Sequence, residues 1–195
     1  MKIRNAFWLT VTACFMLVFP SLVSATPVLT IDDGINPTIF GTYDSGAWRV
    51  TDAQIGRWHI FSTAGNVYGH GLDVGGVISS YGGPGELKIS FTDSFTGGGF
   101  LMPFDLTFHI AEGSANDKAY VDDTTLLGQF SADGTSTVFQ TPPTNFSLNE
   151  LVTFTGSGYY YFYGSVNALP NPEPSSLLLL GSGLIGAAFF VRRKA

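Results

Sequence analysis

The feature that most constrains the fold of this chain is an alternation of apolar and polar residues through its central part. Segment 86–92 alternates without a fault, and in segment 104–110 every second residue from Phe104 to Ile110 is apolar. Residues that recur with a period of two share one face of a β-strand, because successive side chains point to opposite faces. Similar, shorter runs predict further strands at 57–61, 126–130, 135–139, 151–155 and 159–166.

Turn-forming residues separate these segments and determine the predicted fold class. Glycine, proline and Asp-Gly turn signals stand at 33–34, 82–85, 97–99, 133–134 and 142–143. No stretch between them has the apolar stripe of an amphipathic helix. Several short strands with turns between them predict an all-β domain over residues 26–169, folded as an antiparallel β-sandwich of jelly-roll-like type.

The beginning of the chain predicts a cleavable export signal. A basic start, an apolar run at 6–19 and small residues after it are the three parts of a secretory signal peptide. We predict a signal peptide over 1–25, engaged by the export translocon and cut by signal peptidase between Ala25 and Thr26. A permanent anchor and lipoprotein processing at Cys14 are the alternatives, but the apolar run is short for a span and little of it precedes the cysteine.

The C-terminal end predicts a single membrane-spanning helix with a fixed orientation. Segment 175–191 contains no charge, and as a helix at 1.5 Å per residue it reaches about 25 Å, close to the thickness of the hydrocarbon core. The basic residues Arg192, Arg193 and Lys194 then stop transfer and hold the C-terminus in the cytoplasm. Because the N-terminus is exported, the domain is expected to face outward.

Pro172, Glu173 and Pro174 stand just before this helix. Each proline disfavours helical geometry in the residue before it, so the chain is extended outside the membrane, as a protease substrate must be. With the apolar span and the basic end, the motif resembles the PEP-CTERM sorting signal over 170–195. The resemblance implies an exosortase as partner, a membrane protease or transpeptidase that accompanies exopolysaccharide production in Gram-negative bacteria. A plain tail anchor with a proline-rich linker is the alternative.

Charge is divided sharply along the chain. Between residues 26 and 170 there are fourteen acidic residues and four basic ones. A surface this acidic repels phosphate backbones, which argues against nucleic acid as a partner. The single cysteine, Cys14, lies in the predicted signal peptide, so the mature chain is expected to have no disulfide and no cysteine-ligated metal.

Five consecutive aromatic residues near the end of the domain predict a packed aromatic strand, with a binding surface as the weaker alternative. On a strand, Tyr159, Tyr161 and Tyr163 share one face and the two residues between them share the other. One face is expected to be core, and the other would be a platform for stacking against sugar rings, assisted by Trp48 or Trp58. An aromatic strand packed without a ligand is the favoured interpretation, since aromatic residues favour strands whatever the function.

Acidic residues cluster in a segment that the sequence predicts as a loop. Asp117, Asp122 and Asp123, with Asn116 beside them, offer the oxygen ligands that Ca²⁺ prefers. Their spacing does not match an EF-hand, and solvated loop carboxylates are the alternative. We therefore predict no metal and no other cofactor, and keep Ca²⁺ at these three aspartates as the weaker alternative.

These features lead to one functional prediction and two alternatives. The chain is expected to be a non-enzymatic exported protein, anchored for a time in the inner membrane of a Gram-negative bacterium and then delivered to the cell surface or the exopolysaccharide matrix. The first alternative is a carbohydrate- or calcium-binding module. The second is a secreted hydrolase, for which the sequence offers neither a Gly-x-Ser-x-Gly motif nor a thiol nucleophile in the mature chain.

Overall fold

The residues described by a computed structural model of the protein are 26–82, 85–99, 101–169 and Ser182. Apart from Ser182, the predicted signal peptide at 1–25 and the predicted sorting signal at 170–195, with its helix at 175–191, lie outside the described residues. Nowhere in the described part of the chain does a helix have the length and the hydropathy that crossing a membrane requires.

Thirteen β-strands run through the described residues. In chain order they are β1 Val28–Asp32, β2 Ile39–Phe40, β3 Thr42–Asp44, β4 Ala47–Ile55, β5 Trp58–Tyr68, β6 Gly71–Ser80, β7 Glu86–Thr96, β8 Met102–Glu112, β9 Ala115–Val121, β10 Thr125–Phe130, β11 Gly134–Gln140, β12 Asn145–Thr155 and β13 Gly158–Ala168. Each segment that the alternation predicted as a strand overlaps one of them, namely β5, β7, β8, β10, β11, β12 and β13.

The strands form two antiparallel sheets that face each other across one core. The front sheet has six strands in the order β10-β9-β12-β7-β1-β2. The back sheet has seven strands in the order β11-β8-β13-β6-β5-β4-β3. The prediction of an all-β, antiparallel, sandwich-like fold is therefore confirmed.

Burial alternates along the strands and separates the two faces of each sheet. In β13, Tyr160 and Phe162 are 1% exposed, whereas Tyr159 and Tyr161 are 55% and 54% exposed. From the front sheet, Phe154 packs edge-on against both inward rings, with centroid distances of 5.3 Å to Tyr160 and 4.8 Å to Phe162. Each such burial stabilises the fold by roughly 2–3 kcal/mol, and each aromatic contact adds about 1 kcal/mol.

The turn between β3 and β4 places two aromatic rings side by side at one edge of the back sheet. Ser45 and Gly46 have φ angles of 51° and 88°, and a two-residue type I′ hairpin needs positive φ at both central positions. The turn sets Tyr43 opposite Trp48, and their ring centroids are 5.7 Å apart. Because β3 is the last strand of the back sheet, the two rings stand at the open edge of the sandwich.

Two substitutions in β13 test the assignment of its faces. Phe162→Ala should lower the free energy of unfolding by about 3–5 kcal/mol, because it opens a cavity in the core. Tyr161→Ala is the matched control and should lower it by no more than about 1 kcal/mol, because its side chain is largely exposed. Urea-induced unfolding followed by tryptophan fluorescence measures both values, and equal losses would contradict the assigned register.

Candidate functional site

The outer face of the back sheet carries a group of exposed aromatic side chains, which we call the aromatic face. Its members are Tyr159, Tyr161 and Tyr163 of β13 with Phe61 and Tyr68 of β5. Their exposed fractions lie between 37% and 55%. The rings of Phe61 and Tyr159 stack, with 5.4 Å between centroids and 18° between planes. Exposed apolar patches of this kind are typical of interaction surfaces.

Phe61 stands at a β-bulge beside the other members of the aromatic face. The register of β5 on β6 shifts between Ile60 and Ser62, so that Phe61 is the extra residue without a partner on β6. Ile60 is fully buried, whereas Phe61 is 37% exposed, and the ring centroids of Phe61 and His59 are 4.3 Å apart. Phe61 therefore follows the alternation set by Trp58 and Ile60 onto the outer face, and after the bulge the inward row continues at Thr63.

Polar groups with fixed orientation lie beside the rings of the aromatic face. Asn66 Nδ2 donates a hydrogen bond of 2.7 Å to Asp73 Oδ1, and Ser165 is the partner of Asp73 across β13 and β6. Burial, and then the nearby negative charge of Asp73, raises the pKa of the Tyr163 phenol, and burial likewise raises the pKa of Tyr68. Both phenols therefore keep their protons near neutral pH and remain hydrogen-bond donors.

The structure separates the two tryptophans from the tyrosines with which the sequence grouped them. Trp58 is 1% exposed and packs in the core against Tyr160, with 5.9 Å between ring centroids. The prediction that Trp58 assists sugar stacking is wrong, because its inward position in β5 leaves no ring face for a ligand. Trp48 is partly buried against the core and lies beside Tyr43 at the sheet edge, away from the aromatic face.

The three aspartates considered for Ca²⁺ do not form one cluster. Asp117 is 2% exposed and lies on β9 with its side chain turned inward, which corrects the prediction of a loop there. Asp122 and Asp123 follow β9 in a turn, about 16 Å along the chain from Asp117. Asp122 Oδ1 accepts the Ser147 N–H at 3.0 Å, and Asp123 Oδ1 accepts the Asn149 amide at 3.0 Å. In the described residues no group of three or more His, Cys, Asp or Glu side chains could hold a metal.

Two carboxyl groups lie together inside the sandwich, a feature that the sequence did not reveal. Asp117 of β9 and Glu150 of β12 are 2% and 0% exposed, and both face the back sheet. Asp117 Oδ1 and both Glu150 oxygens have no hydrogen-bond partner within the described part of the chain. Gly164 of β13 makes room for them, because a Cβ added there would collide with Glu150 Oε1 and lie 3.7 Å from Asp117 Cγ.

Burial, without a counter-charge among the described residues, determines the protonation of this acid pair. Burial raises the pKa of Asp117 to about 7. Burial, followed by the charges of Asp117 and Asp73, raises the pKa of Glu150 well above its usual range. A buried carboxylate without partners is costly, so the group takes up a proton instead. The pair therefore holds at least one proton at neutral pH.

The acid pair makes stability depend on pH with a defined sign. The folded chain binds these protons more tightly than the unfolded chain, whose values are the usual 3.8 and 4.5. The contribution is complete below those values and is lost as the pH rises towards about 7. We expect the free energy of unfolding of the wild-type protein to fall over this window by an amount on the order of 3 kcal/mol.

Glu150→Gln should make this decline shallower, since the amide carries no charge at any of these pH values and only the buried Asp117 carboxyl of the pair is left to titrate. Urea unfolding at several pH values between 4 and 8 measures the slope of the free energy of unfolding against pH. Glu86→Gln is the matched control, because the Glu86 carboxyl is exposed and its replacement should leave the slope as it is in the wild-type protein. A Glu150→Gln variant with the wild-type slope would show that the pair does not govern the pH response.

Comparison with known proteins adds one specific match. The model of the PEP-CTERM protein-sorting motif matches residues 172–194. Among proteins of curated function, none matches this sequence. Among solved structures, a GH26-CBM35 β-(1,4)-mannanase from Podospora anserina is similar to the chain, with 12% identity and a TM-score of 0.25 over 75% of this chain and 29% of the mannanase chain. The chain therefore carries a PEP-CTERM protein-sorting motif at its C-terminus, which is the signal of an exported protein that an exosortase processes at the membrane.

Proposed function

We propose that this protein is held for a time in the inner membrane with its domain facing outward, and is then released by an exosortase to the cell surface or the exopolysaccharide matrix. The sorting motif supports the proposal through the order of its parts. The peptide Pro172-Glu173-Pro174, which its prolines predict to be extended, precedes the apolar segment 175–191, and the basic residues follow it. A membrane span with basic residues at its end fixes the orientation of the chain. A peptide whose prolines disfavour a helix, outside the membrane, provides a cleavage site for the protease.

On arrival the domain acts without catalysis, by binding polysaccharide through the aromatic face. One observation carries this proposal, namely the row of exposed tyrosines with Phe61 stacked on Tyr159 at 5.4 Å between centroids. The apolar C–H face of a sugar ring packs against aromatic rings, while its hydroxyls bind neighbouring polar groups. The phenols and the Asn66–Asp73 pair supply such groups. This combination of apolar area with a few oriented polar atoms is typical of small-molecule sites.

We also propose that the sandwich is of the jelly-roll-like type. The strand order supports this, since the last two strands insert between earlier ones in both sheets. Strand β12 lies between β9 and β7 in the front sheet, and β13 lies between β8 and β6 in the back sheet. In a jelly roll, strands that are distant in sequence become neighbours in both sheets, which gives this interleaved order.

A secreted hydrolase is the second candidate, and one contact favours it. His109 Nδ1 and Asp133 Oδ2 are 2.7 Å apart, and His109 is the strand partner of Tyr163 on the aromatic face. A carboxylate that orients an imidazole is the arrangement of a general base. The Ile110 N–H, followed by His109, lowers the pKa of Asp133, so this carboxylate stays charged. Release of reducing ends from the bound polysaccharide would identify this activity.

Sorting is tested by changing the motif without changing the span. Replacement of both Pro172 and Pro174 by alanine should leave the chain attached to the membrane, because the peptide before the helix is then free to become helical. Pro170→Ala is the matched control and should be processed like the wild-type chain. The intact mass of the extracellular protein, with and without the exosortase of the host, measures processing. Loss of the tail in the absence of that enzyme would refute the proposal.

Glycan binding is tested on the aromatic face. Tyr161→Ala should weaken binding to the exopolysaccharide of the producing cell by about 3- to 10-fold, the loss expected for one aromatic contact. Tyr120→Ala is the control, because this partly exposed tyrosine points outward from β9 on the opposite sheet. Affinity electrophoresis in gels that contain the polysaccharide compares the variants. If the wild-type protein is not retarded in these gels, the proposal is wrong.

A further inference from the structure

The outer face of the back sheet continues beyond the aromatic face and leads to an arginine. Strand pairing aligns four residues in one row across the sheet, namely Tyr163 of β13, Gly75 of β6, Ala64 of β5 and Arg49 of β4. Residues that are directly opposite on neighbouring strands share a face, so the whole row belongs to the outer side. Three strand spacings separate Tyr163 from Arg49, which is about 14 Å across the sheet. One extended ligand can therefore reach both.

The two residues in the middle of this row leave the surface low. Gly75 has no side chain, and Ala64 has only a methyl group. A Cβ added at Gly75 would lie 3.4 Å from Cδ2 of Tyr163, so this ring borders the low surface at contact distance. Glycine in a strand often marks a place where a ligand approaches the backbone closely. The row is thus a shallow path between the aromatic face and Arg49.

Arg49 offers an unpaired positive charge at the end of this path. Its side chain has no hydrogen bond and no ion pair within the part of the chain that the structure describes. The described strands of the back sheet carry no other arginine or lysine. By contrast, Arg57 Nη2 donates to the Gly85 carbonyl at 2.6 Å, and Lys88 lies 4.0 Å from Glu86. The planar donors of an arginine, which stays charged at physiological pH, match a carboxylate with two parallel hydrogen bonds.

A cavity of about 310 Å³ opens beside Arg49, where the chain crosses from β2 in the front sheet to β3 in the back sheet. Its volume suits a small organic ligand. The lining includes the Phe40 ring, which is 65% exposed, and the hydroxyl-bearing side chains of Thr42 and Thr51. An apolar ring, two hydroxyls and a guanidinium together match one sugar unit that carries an acid group.

The negative charges around the path leave Arg49 available. Asp44 also lines the cavity, but its Oδ1 accepts the Ser45 hydroxyl at 3.0 Å, and among the described residues no ion pair joins it to Arg49. The remaining acidic charge of the domain is screened beyond about 8 Å at physiological ionic strength, and it weakens non-specific binding of an anionic polymer. Asp73 stands near Tyr163 at the other end of the path, so an acidic unit is favoured at the Arg49 end.

We propose that Arg49 binds the carboxylate of a uronic acid unit, and that the polysaccharide held by the aromatic face is therefore an acidic one. The inference rests on the proposed function, because the rings of the aromatic face hold neighbouring units of the same polymer. The polymer lies across the strands, from Tyr163 over the low surface to the cavity. There, Phe40 packs against the apolar side of the acidic unit, and the two threonine hydroxyls bind its hydroxyls.

Two forms of one polysaccharide test the proposal. The exopolysaccharide of the producing cell is used unmodified and after chemical reduction of its carboxyl groups to primary alcohols, which turns each uronic acid into the corresponding neutral sugar. Affinity electrophoresis measures the retention of the purified extracellular protein relative to gels without polysaccharide. We expect the wild-type protein to bind the reduced form about 10-fold more weakly, the loss expected for hydrogen bonds to a charged group. Equal affinity for the two forms would overturn the proposal.

Variants locate the bound carboxylate. Arg49→Gln should bind the unmodified form about 10-fold more weakly than the wild-type protein does, and should bind the two forms with equal affinity. Phe40→Ala should weaken the binding of both forms alike, because its ring contacts the sugar and not the charge. Lys118→Gln is the matched control, since it removes one positive charge from the outer side of the opposite sheet, and it should bind both forms like the wild-type protein. Equal losses in Arg49→Gln and Lys118→Gln would contradict this location.

The inference and the proposed function fail in different ways. If the unmodified polysaccharide does not retain the wild-type protein, the proposed function is wrong and the inference falls with it. If both forms retain the wild-type protein equally and Tyr161→Ala weakens both, the aromatic face stands and the inference about Arg49 is wrong. If Arg49→Gln weakens retention although reduction of the carboxyl groups does not, the acid group bound by Arg49 is not a carboxylate and the choice of a uronic acid is wrong.

Discussion

The register of β13 determines most of what this domain presents to its surroundings. Its inward positions hold Tyr160 and Phe162, which pack against Phe154 of the other sheet. Its outward positions hold the three tyrosines of the aromatic face. Because the period of a strand is two, a slip of one residue would exchange these sets and place the core residues in solvent. Antiparallel partners on both sides, β6 and β8, prevent such a slip.

The same register also makes room for the acid pair. Gly164 occupies an inward position of β13, and its missing side chain leaves the space that the Glu150 carboxyl enters from the front sheet. Any larger residue at that position would force the two sheets apart or displace the carboxyl. Two acids with no counter-charge in the described part of the chain are unusual in a core, and bound protons neutralise them in place of a cation. The stability of the contact between the two sheets therefore depends on pH.

The sequence predicted the fold well where the alternation was unbroken and failed where a polar or small residue occupied an inward position. Strand β9 was missed because Asp117 stands in the inward row between Ala115 and Ala119, and the segment looked like a polar loop. Strand β12 was predicted to begin at Leu151 because Glu150 interrupted the apolar row, although Phe146 and Leu148 continue it with the same period. Extending the alternation through that glutamate would have indicated a buried acid.

The aromatic site was predictable only in part, because alternation gives the faces of a strand but not the neighbours across the sheet. It correctly placed Tyr159, Tyr161 and Tyr163 on one face. In the predicted strand at 57–61 it also sets Trp58 on the face of Ile60 and Phe61 on the other face. It could not show that Phe61 would stack on Tyr159, because that contact reaches across β6, a neighbour that no local pattern encodes.

Retention in a polysaccharide matrix needs only weak contact that is repeated. A surface of the size of the aromatic face binds a single sugar unit weakly, since few atoms make contact. A polymer whose units meet several rings of this face at once gains affinity, because each contact after the first is intramolecular. The rigid strands β5 and β13 hold these rings at fixed spacing, and such binding needs no catalytic group.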